Sequence, residues 1–177
     1  QIYLALAMGR TRDIRYSGIL EESLNSEDAQ ILSAAIFSLG LIGSQNSMEK
    51  LLNFYDHSSA RVRHQLSVAL GSYNNDQSRK ILYKLLNDIE PNVRWDAAIS
   101  LAKQNDNKGR RIILDLMDRK YLDSFPNIDP IEQSQAMMTA IAVSKKILDD
   151  EIKEVLVDLM ENDINMKIRQ SARNVLE

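Results

Sequence analysis

The chain has 177 residues, of which 44% are hydrophobic and 27% are charged, with a formal net charge of −3 and no cysteine. The lack of cysteine excludes a disulfide scaffold, a thiolate zinc site and a cysteine nucleophile. A net negative charge does not produce the overall positive electrostatic potential that attracts nucleic acid. No apolar run approaches the roughly 18 residues that a membrane helix needs, so we expect no membrane span.

The sequence repeats itself every 31 residues. A fixed internal period of this order is typical of repeat architectures. Three columns keep the spacing in phase: Met8, Leu39, Leu70 and Leu101, each followed by a small residue; Leu20, Leu51 and Leu82; and the polar column Asn25, Asp56, Asn87 and Asp118.

Each repeat predicts a first helix, a polar turn and a second helix. Apolar residues recur at three- and four-residue steps over 48–55 and 79–86, which predicts amphipathic first helices. Second helices are predicted over 60–73 and 91–103. Pro91 suits the start of the latter, because the first helical turn does not need its missing N–H. No segment alternates like a half-buried strand. Three glycines near the ends of second helices are interpreted as stop signals: Gly40, Gly43 and Gly71.

A helix pair of this length cannot bury its own apolar faces, so neighbouring pairs must stack. The sequence therefore predicts an all-α fold, an α-solenoid formed by a single array over residues 1–177. Residues 1–13 match only a second helix, and more repeats are expected to precede Gln1. The later repeats are predicted at 14–45, 46–76, 77–106, 107–148 and 149–177.

The turns and second helices share a motif of Asp or Asn, then Val-Arg, then Ala-Ala and Ala-Leu-Gly. It is carried here by Asp56 with 62–71 and by Asn87 with 93–102, and Ile168-Arg169 repeats part of it. This motif resembles HEAT repeats, most of all the short subtype first noted in phycobilisome lyases. The resemblance implies an armadillo-like, right-handed superhelix of antiparallel helix pairs.

In that family the motif arginine bonds along the inter-helix turns, in a ladder with the Asp/Asn column. The resemblance implies this role for Arg63, Arg94 and Arg169, with interruptions where Leu32 and Ala136 stand instead. The polar members of the ladder would be Asn25, Asp56, Asn87, Asp118 and Asn162.

The period slips once, because Asn162 lies 44 residues after Asp118. The extra residues fall at about 119–130. A helix is then predicted to restart with Asp129 as its N-cap, Pro130 at its first position and Glu132 at its third. Repeat insertions are often binding loops. One interpretation is a recognition loop that presents Tyr121 and Phe125; the other is that both rings cover the enlarged gap between helices.

Second helices line the concave side in this family. Counted from the motif arginine as zero, positions one, two and five are expected to face that side. Position five is polar in the family but apolar in five of the repeats here, which indicates either an apolar groove for a partner's segment or tighter packing between repeats. The candidate groove residues are Phe37, His64, Val68, Trp95, Ile99, Met138 and Ile141.

No catalytic, metal-binding or cofactor-binding set is predicted. His57 and His64 have no spacing or neighbours typical of a metal site, and no glycine-rich phosphate loop follows a strand. Because some HEAT-like proteins are DNA glycosylases, a distant alternative is a HEAT-like DNA glycosylase, for which the acidic composition is unfavourable. The basic residues relevant to it are Lys108, Arg110, Arg111, Arg119 and Lys120.

We therefore expect a scaffold that is not an enzyme, a monomer that binds another, unidentified protein through its concave surface and its insertion loop. The expected location is the cytoplasm, with the periplasm left open. The alternative is a subunit related to the bilin lyases, which would hold a linear tetrapyrrole near Trp95, His64 and Asp96.

Overall fold

A computed structural model describes all 177 residues and contains twelve α-helices and no strand. The all-α prediction is confirmed, since 76% of the chain is helical. The helices form two compact units, residues Gln1–Ser100 and Leu101–Glu177. None of the helices is long and apolar enough to cross a membrane.

The first unit alternates second and first helices of the repeats, in the order that the 31-residue period predicts. The second helix α3 begins at a capping residue: the Asp28 side chain accepts a hydrogen bond from the Gln30 N–H, which satisfies one of the free N–H groups of the first turn. The helices are α1 (Ile2–Thr11), α2 (Ser17–Glu22), α3 (Ala29–Ile42), α4 (Gln45–Leu51), α5 (Ala60–Leu70), α6 (Asp76–Leu85) and α7 (Pro91–Lys103), whose last turn belongs to the second unit.

The second unit contains the insertion and the last repeat. Its helices are α8 (Arg110–Leu116), α9 (Arg119–Asp123), α10 (Pro130–Ser144), α11 (Asp150–Asn162) and α12 (Met166–Leu176). The predicted restart of a helix after the insertion is confirmed, because the Asp129 side chain accepts from the Ile131 N–H and Pro130 occupies the first turn of α10.

Two of the three repeating columns form the core of the repeats. The apolar column of the first helices is buried at Leu20, Leu51 and Leu82, and the column of the second helices is buried at Leu39, Leu70 and Leu101. Burying a leucine side chain contributes roughly 1.5–3 kcal/mol, so these two leucine columns contribute a large part of each repeat's stability. The polar column lies in the turns that follow the first helices.

Two of the glycines interpreted as stop signals do end helices, but Gly40 does not. Gly43 closes α3 in the left-handed conformation, at φ 72°, and Gly71 follows the last residue of α5. Gly40 lies inside α3, where an added Cβ would stand 2.6 Å from the Ala69 Cα of the neighbouring second helix. Gly40 is therefore a site of close helix approach, which only a residue without a side chain permits.

The same contact recurs along the first unit. An added Cβ would stand 2.5 Å from Ser38 Cβ at Gly9 and 2.6 Å from Ser100 Oγ at Gly71. In all three pairs the small residue lies 29 positions after the glycine. Successive second helices therefore approach each other at one repeated point, which sets their spacing.

Candidate functional site

The second helices α1, α3 and α5 enclose a groove on the face that the repeat positions predict to be concave. Its volume is about 420 Å³, and its walls are Ile2, Leu6, Gln30, Ser33, Ala34, Phe37, Arg61 and Gln65. Six of these eight occupy positions one, two or five counted from the motif arginine. The floor is apolar and the rim is polar, which is the usual composition of a binding cleft.

The shape of the groove follows from the repeat. Leu6 and Phe37 occupy the same position in successive repeats, and both belong to its apolar lining. The glycine contacts hold α1, α3 and α5 close together beneath it. Ala34 has a small side chain at the repeat position that holds Tyr3 and Gln65 in the neighbouring repeats. The smaller side chain leaves a depression between the helices.

The rim carries a cation that is free for a ligand. Arg61 is exposed in the first turn of α5. Unlike Arg63, Arg79 and Arg94, it makes no ion pair and no side-chain hydrogen bond within the chain. Gln30 lies one repeat earlier at the same position and is also exposed. The groove therefore offers an apolar floor with one positive charge and amide groups at its edge. Neither Arg61 nor Gln30 was among the sequence candidates, although their shared 31-residue spacing is a signal that could have found them.

Of the predicted groove residues in the first unit, Phe37 lines the groove and Val68 is half-buried on α5. His64 is half-buried as well, and its Nε2 lies 2.5 Å from the Asp96 Oδ2 of the next repeat. Trp95 and Ile99 are each only 4% exposed. The prediction that these two side chains present a surface was wrong, because neighbouring helices cover a face that looks outward on a single helix.

The candidates of the second unit are more covered than the groove interpretation requires. Ile141 is fully buried, which corrects its assignment to an open surface, and Met138 is half-buried on α10. At Ile141, position five therefore serves packing.

The insertion is folded rather than extended. Tyr121 and Phe125 are half-buried, and their rings meet edge to face with centroids 5.1 Å apart. The Gln133 side-chain amide donates to the carbonyls of Leu122 and Phe125, at 2.9 and 3.1 Å. These bonds tie the insertion to α10, so the two rings pack on each other and are partly covered.

Of the three arginines predicted to form the ladder, Arg63 has a carboxylate partner, and that partner lies outside the predicted Asp/Asn column. Arg63 forms two hydrogen bonds to the Asp88 carboxylate, at 2.6 and 2.9 Å, and Asp88 is the residue after the predicted partner Asn87. Burial alone would raise the pKa of Asp88, but the hydrogen bonds from Arg63 and from the Glu90 N–H, with the nearby Arg63 and Arg94 charges, hold it below its ordinary value. Arg119 pairs with Asp163 in the same manner, at 2.7 and 2.8 Å.

The three motif arginines share a second contact. Each donates to the carbonyl of the residue six positions earlier, which is His57 for Arg63, Asp88 for Arg94 and Asp163 for Arg169. The polar column one residue before these carbonyls bonds locally or stays exposed, which corrects its assignment as the partner of the arginines. Asn25 and Asn87 donate to carbonyls of the helices that precede them, Asn162 donates to Asp158, Asp118 caps α9, and Asp56 is exposed.

The basic concentration is largely neutralised by carboxylates. Arg110 bonds to Asp149 and Glu151, each at 2.5 Å, and these bonds raise the pKa of the guanidinium. Arg111 pairs with Asp115 at 3.0 Å. Since the Arg119–Asp163 pair is also internal, three of the five cations are occupied, which argues against a phosphate-binding surface. No group of three or more His, Asp or Glu side chains is arranged to hold a metal ion.

A family model for HEAT repeats matches residues 16–102 and 48–123. The chain belongs to the HEAT-repeat family. Of the solved structures, the complex of CpcE and CpcF of phycocyanin lyase from Nostoc sp. PCC7120 is similar, with a TM-score of 0.60 and 17% sequence identity over 90% of this chain and 75% of that one. An engineered protein is similar with a TM-score of 0.54 and 19% identity over 99% of this chain and 88% of that one.

A search of curated proteins finds no match. At these identities the structural likenesses show a shared fold, which agrees with the stacked helix pairs and the glycine contacts of this HEAT-repeat chain.

Proposed function

We propose that this HEAT-repeat protein is a protein-interaction module whose groove between α1, α3 and α5 binds a segment of another polypeptide. The observation that carries the proposal is the combination of an apolar floor, formed by Ile2, Leu6, Ala34 and Phe37, with the unpaired Arg61 at its rim. Concave surfaces of this kind are what stacked helix pairs provide for extended partners.

The chemistry of the groove specifies the segment. An apolar cleft of about 420 Å³ accommodates one or two large apolar side chains, which act as anchors in protein interfaces. Arg61 favours a carboxylate close to those anchors, since a guanidinium pairs with a carboxylate through two parallel hydrogen bonds. The expected ligand is a segment with a large apolar residue and an Asp or Glu near it.

A polypeptide ligand is also supported by the phycocyanin lyase structure, which is a complex of two proteins. A linear tetrapyrrole is less well supported. The ring of Trp95, around which a pigment site was considered, is almost fully covered, and the carboxylate of Asp96 is paired with His64.

The experiment is selection from a displayed random peptide library, followed by titration of the enriched peptides against variants. Phe37→Ala removes an apolar wall and Arg61→Glu reverses the rim charge. Each is expected to weaken binding at least tenfold, as for hot-spot residues, while the exposed control Ile164→Ala leaves the affinity unchanged.

Peptides whose affinity is insensitive to both variants would contradict the proposal, as would a library that yields no enriched sequence. A linear tetrapyrrole whose absorbance changes on mixing with the wild type, and changes less with Phe37→Ala, would assign the groove to a pigment instead.

A further inference from the structure

A second pocket of the first unit lies at the turns between first and second helices. It opens between Tyr55, His57 and Ser58 in one turn and Lys84 and Ile89 in the next repeat, and its volume is about 410 Å³. It shares no lining residue with the groove between α1, α3 and α5. The pocket is therefore a separate candidate site.

Two of the residues that line this pocket already bond to each other. The side chains of Arg63 and Asp88 are only 12% and 7% exposed, and two hydrogen bonds of 2.6 and 2.9 Å join them. Arg63 also donates to the carbonyls of His57 and Ser58, and the Asp88 carboxylate accepts from the Glu90 N–H. Because this pair is neutral as a unit, the other polar groups of the pocket must recognise a charged ligand.

Those other groups are mainly hydrogen-bond donors. Lys84 is exposed and makes no ion pair, and its ammonium lies 4.1 Å from the centroid of the Tyr55 ring. The Ser59 N–H donates to His57 Nδ1 at 3.1 Å, so the neutral ring carries its proton on Nε2, which is then a donor. The hydroxyls of Tyr55 and Ser58 make no hydrogen bond within the chain. A cation and several uncommitted donors in one pocket favour an anionic ligand.

The packing of the repeats does not require these side chains. The residues one repeat before Tyr55, His57 and Lys84 are Leu24, Ser26 and Asn53, and those one repeat after them are Leu86, Asp88 and Asp115. The neighbouring repeats therefore stack without a phenol, an imidazole or an ammonium group at these positions. The combination belongs to this pocket and is not part of the repeat.

The charges that line the pocket favour an anion with a single charge. Asp56 also lines it and is exposed, while Arg63 compensates only Asp88. Lys84 can balance one negative charge, and Asp56 would repel a second. A carboxylate meets this requirement better than a dianionic phosphate does.

The pocket also has an apolar side that is open to solvent. Leu85 is buried and Ile89 is 83% exposed, so an apolar group beside the carboxylate would contact Ile89. Since Asp56, Ser58 and Lys84 are exposed as well, the pocket covers only part of a ligand, whereas sites for small molecules bury most of theirs. This partial cover suits the last residue of a longer chain.

We propose that this pocket binds the free C-terminal carboxylate of a polypeptide that ends in an apolar residue. Lys84 pairs with the carboxylate, the His57 Nε2–H donates to one of its oxygens, and Ile89 contacts the last side chain of the ligand. Recognition of a chain end through its carboxylate is an established mode of peptide binding.

The test is nuclear magnetic resonance titration of the isotope-labelled chain with a neutral, N-acetylated pentapeptide that ends in leucine. One form of the peptide has a free C-terminal carboxylate and the other a C-terminal amide. Amide shifts at 55–59 and 84–89 should saturate with the free acid, and the amide form should bind roughly tenfold more weakly or less, because it has lost the charge. Equal affinities, or no shift at these residues with either peptide, would overturn the proposal.

Two variants should change the affinity for the free acid in opposite directions. Lys84→Gln removes the cation and should weaken binding roughly fivefold, while Asp56→Asn removes a repelling charge and should strengthen it roughly twofold. The matched control is Lys80→Gln, exposed one turn earlier on α6, which should leave the affinity unchanged. The reverse pattern, or equal effects of Lys84→Gln and Lys80→Gln, would overturn the proposal. All three residues are exposed, so the variants should keep the melting temperature within about 2 °C.

Isocaproate and inorganic phosphate test the other occupants. Each should bind at these residues roughly tenfold more weakly than the free-acid peptide, or less. Isocaproate that binds as tightly as the peptide would assign the pocket to a small carboxylic acid, and phosphate that binds more tightly would assign it to phosphate; either result would overturn the proposal. Phe37→Ala should leave the affinity of this pocket unchanged, so a failure here is distinguishable from a failure of the groove proposal.

Discussion

Residues 1–100 and residues 101–177 connect their repeats by different means. In the first unit a glycine of one second helix meets a small residue of the next at Gly9, Gly40 and Gly71. The second unit has one glycine, Gly109, in the turn before α8, and its repeats are joined by charged side chains such as Arg110 and Arg119.

The difference follows the sequence period. Where the 31-residue period is strict, every second helix meets its neighbour at the same height, so a single close contact can recur. The insertion in the second unit breaks this register, and long arginine side chains span the altered distances instead. Glycine contacts therefore join the repeats only where the period is strict, whereas ion pairs join repeats in both units.

The sharpest way to break this comparison is Gly40→Ala. The added Cβ would overlap the Ala69 backbone of α5, so we expect a loss of about 3 kcal/mol in the free energy of unfolding. The control is Gly18→Ala, at a helical position with open space around it, which should stabilise the protein by roughly 0.5–1 kcal/mol. Urea denaturation measures both. Equal effects would show that the glycine contact does not hold the first unit together.

The buried acid–arginine pairs occur in both units and allow a like-for-like test. Asp88→Asn and Asp163→Asn each leave an arginine without its carboxylate, and each should cost about 2 kcal/mol at neutral pH. Both carboxyls have pKa values below their ordinary range in the folded protein, because arginine and backbone hydrogen bonds outweigh the effect of burial.

The pH dependence follows from the direction of these shifts. The unfolded carboxyls bind protons at higher pH than the folded ones, so their stabilisation is complete above the unfolded pKa of about 4 and is lost as the pH falls below it. We expect the free energy of unfolding to decrease from pH 5 to pH 3, and to decrease less in either Asn variant. A variant with an unchanged pH profile would contradict the role of that carboxylate.

A smaller effect is expected at Tyr73, which connects two repeats of the first unit through its hydroxyl. The buried hydroxyl donates to the Leu39 carbonyl at 3.1 Å, and burial, with the Glu21 charge, raises the pKa of Tyr73 to about 12. Tyr73→Phe should cost about 1 kcal/mol. Spectrophotometric titration should show one tyrosine of the folded protein ionising near pH 12. This ionisation should be missing from Tyr73→Phe, which would assign it to Tyr73. A variant with the same titration curve as the natural protein would contradict the assignment.

The smallest effect is expected at Arg110, in the second unit. Its side chain is partly exposed and its carboxylate partners are more so, so Arg110→Gln should cost roughly 0.5 kcal/mol, and less in high salt. Thermal unfolding at two salt concentrations measures it. A loss as large as that of Gly40→Ala would remove the distinction between the two units.

The fold was predictable because its signal is repeated. The leucine columns and the 31-residue spacing define helix pairs without any single strong motif, and α7 begins and ends at the predicted residues. The α5 helix ends at Leu70 rather than at residue 73 because Gly71 and the turn after it carry the chain away.

The site was predictable only in part, for a physical reason. Helical periodicity places Phe37, Ile99 and Ile141 on the same face of their helices, but burial depends on the neighbouring helices, which the periodicity of one helix does not contain. Phe37 therefore lines a groove, while Ile99 and Ile141 are covered. The role of Gly40 was missed for the same reason, since its contact belongs to two helices.

The most direct test of the interaction proposal is nuclear magnetic resonance titration of the isotope-labelled protein with a peptide enriched in the selection. The account predicts that amide shifts change in α1, α3 and the first turn of α5, around Leu6, Phe37 and Arg61, and that Arg61→Glu abolishes the changes. Shifts confined to the insertion, around Tyr121 and Phe125, would contradict it, because binding would then occur outside the groove.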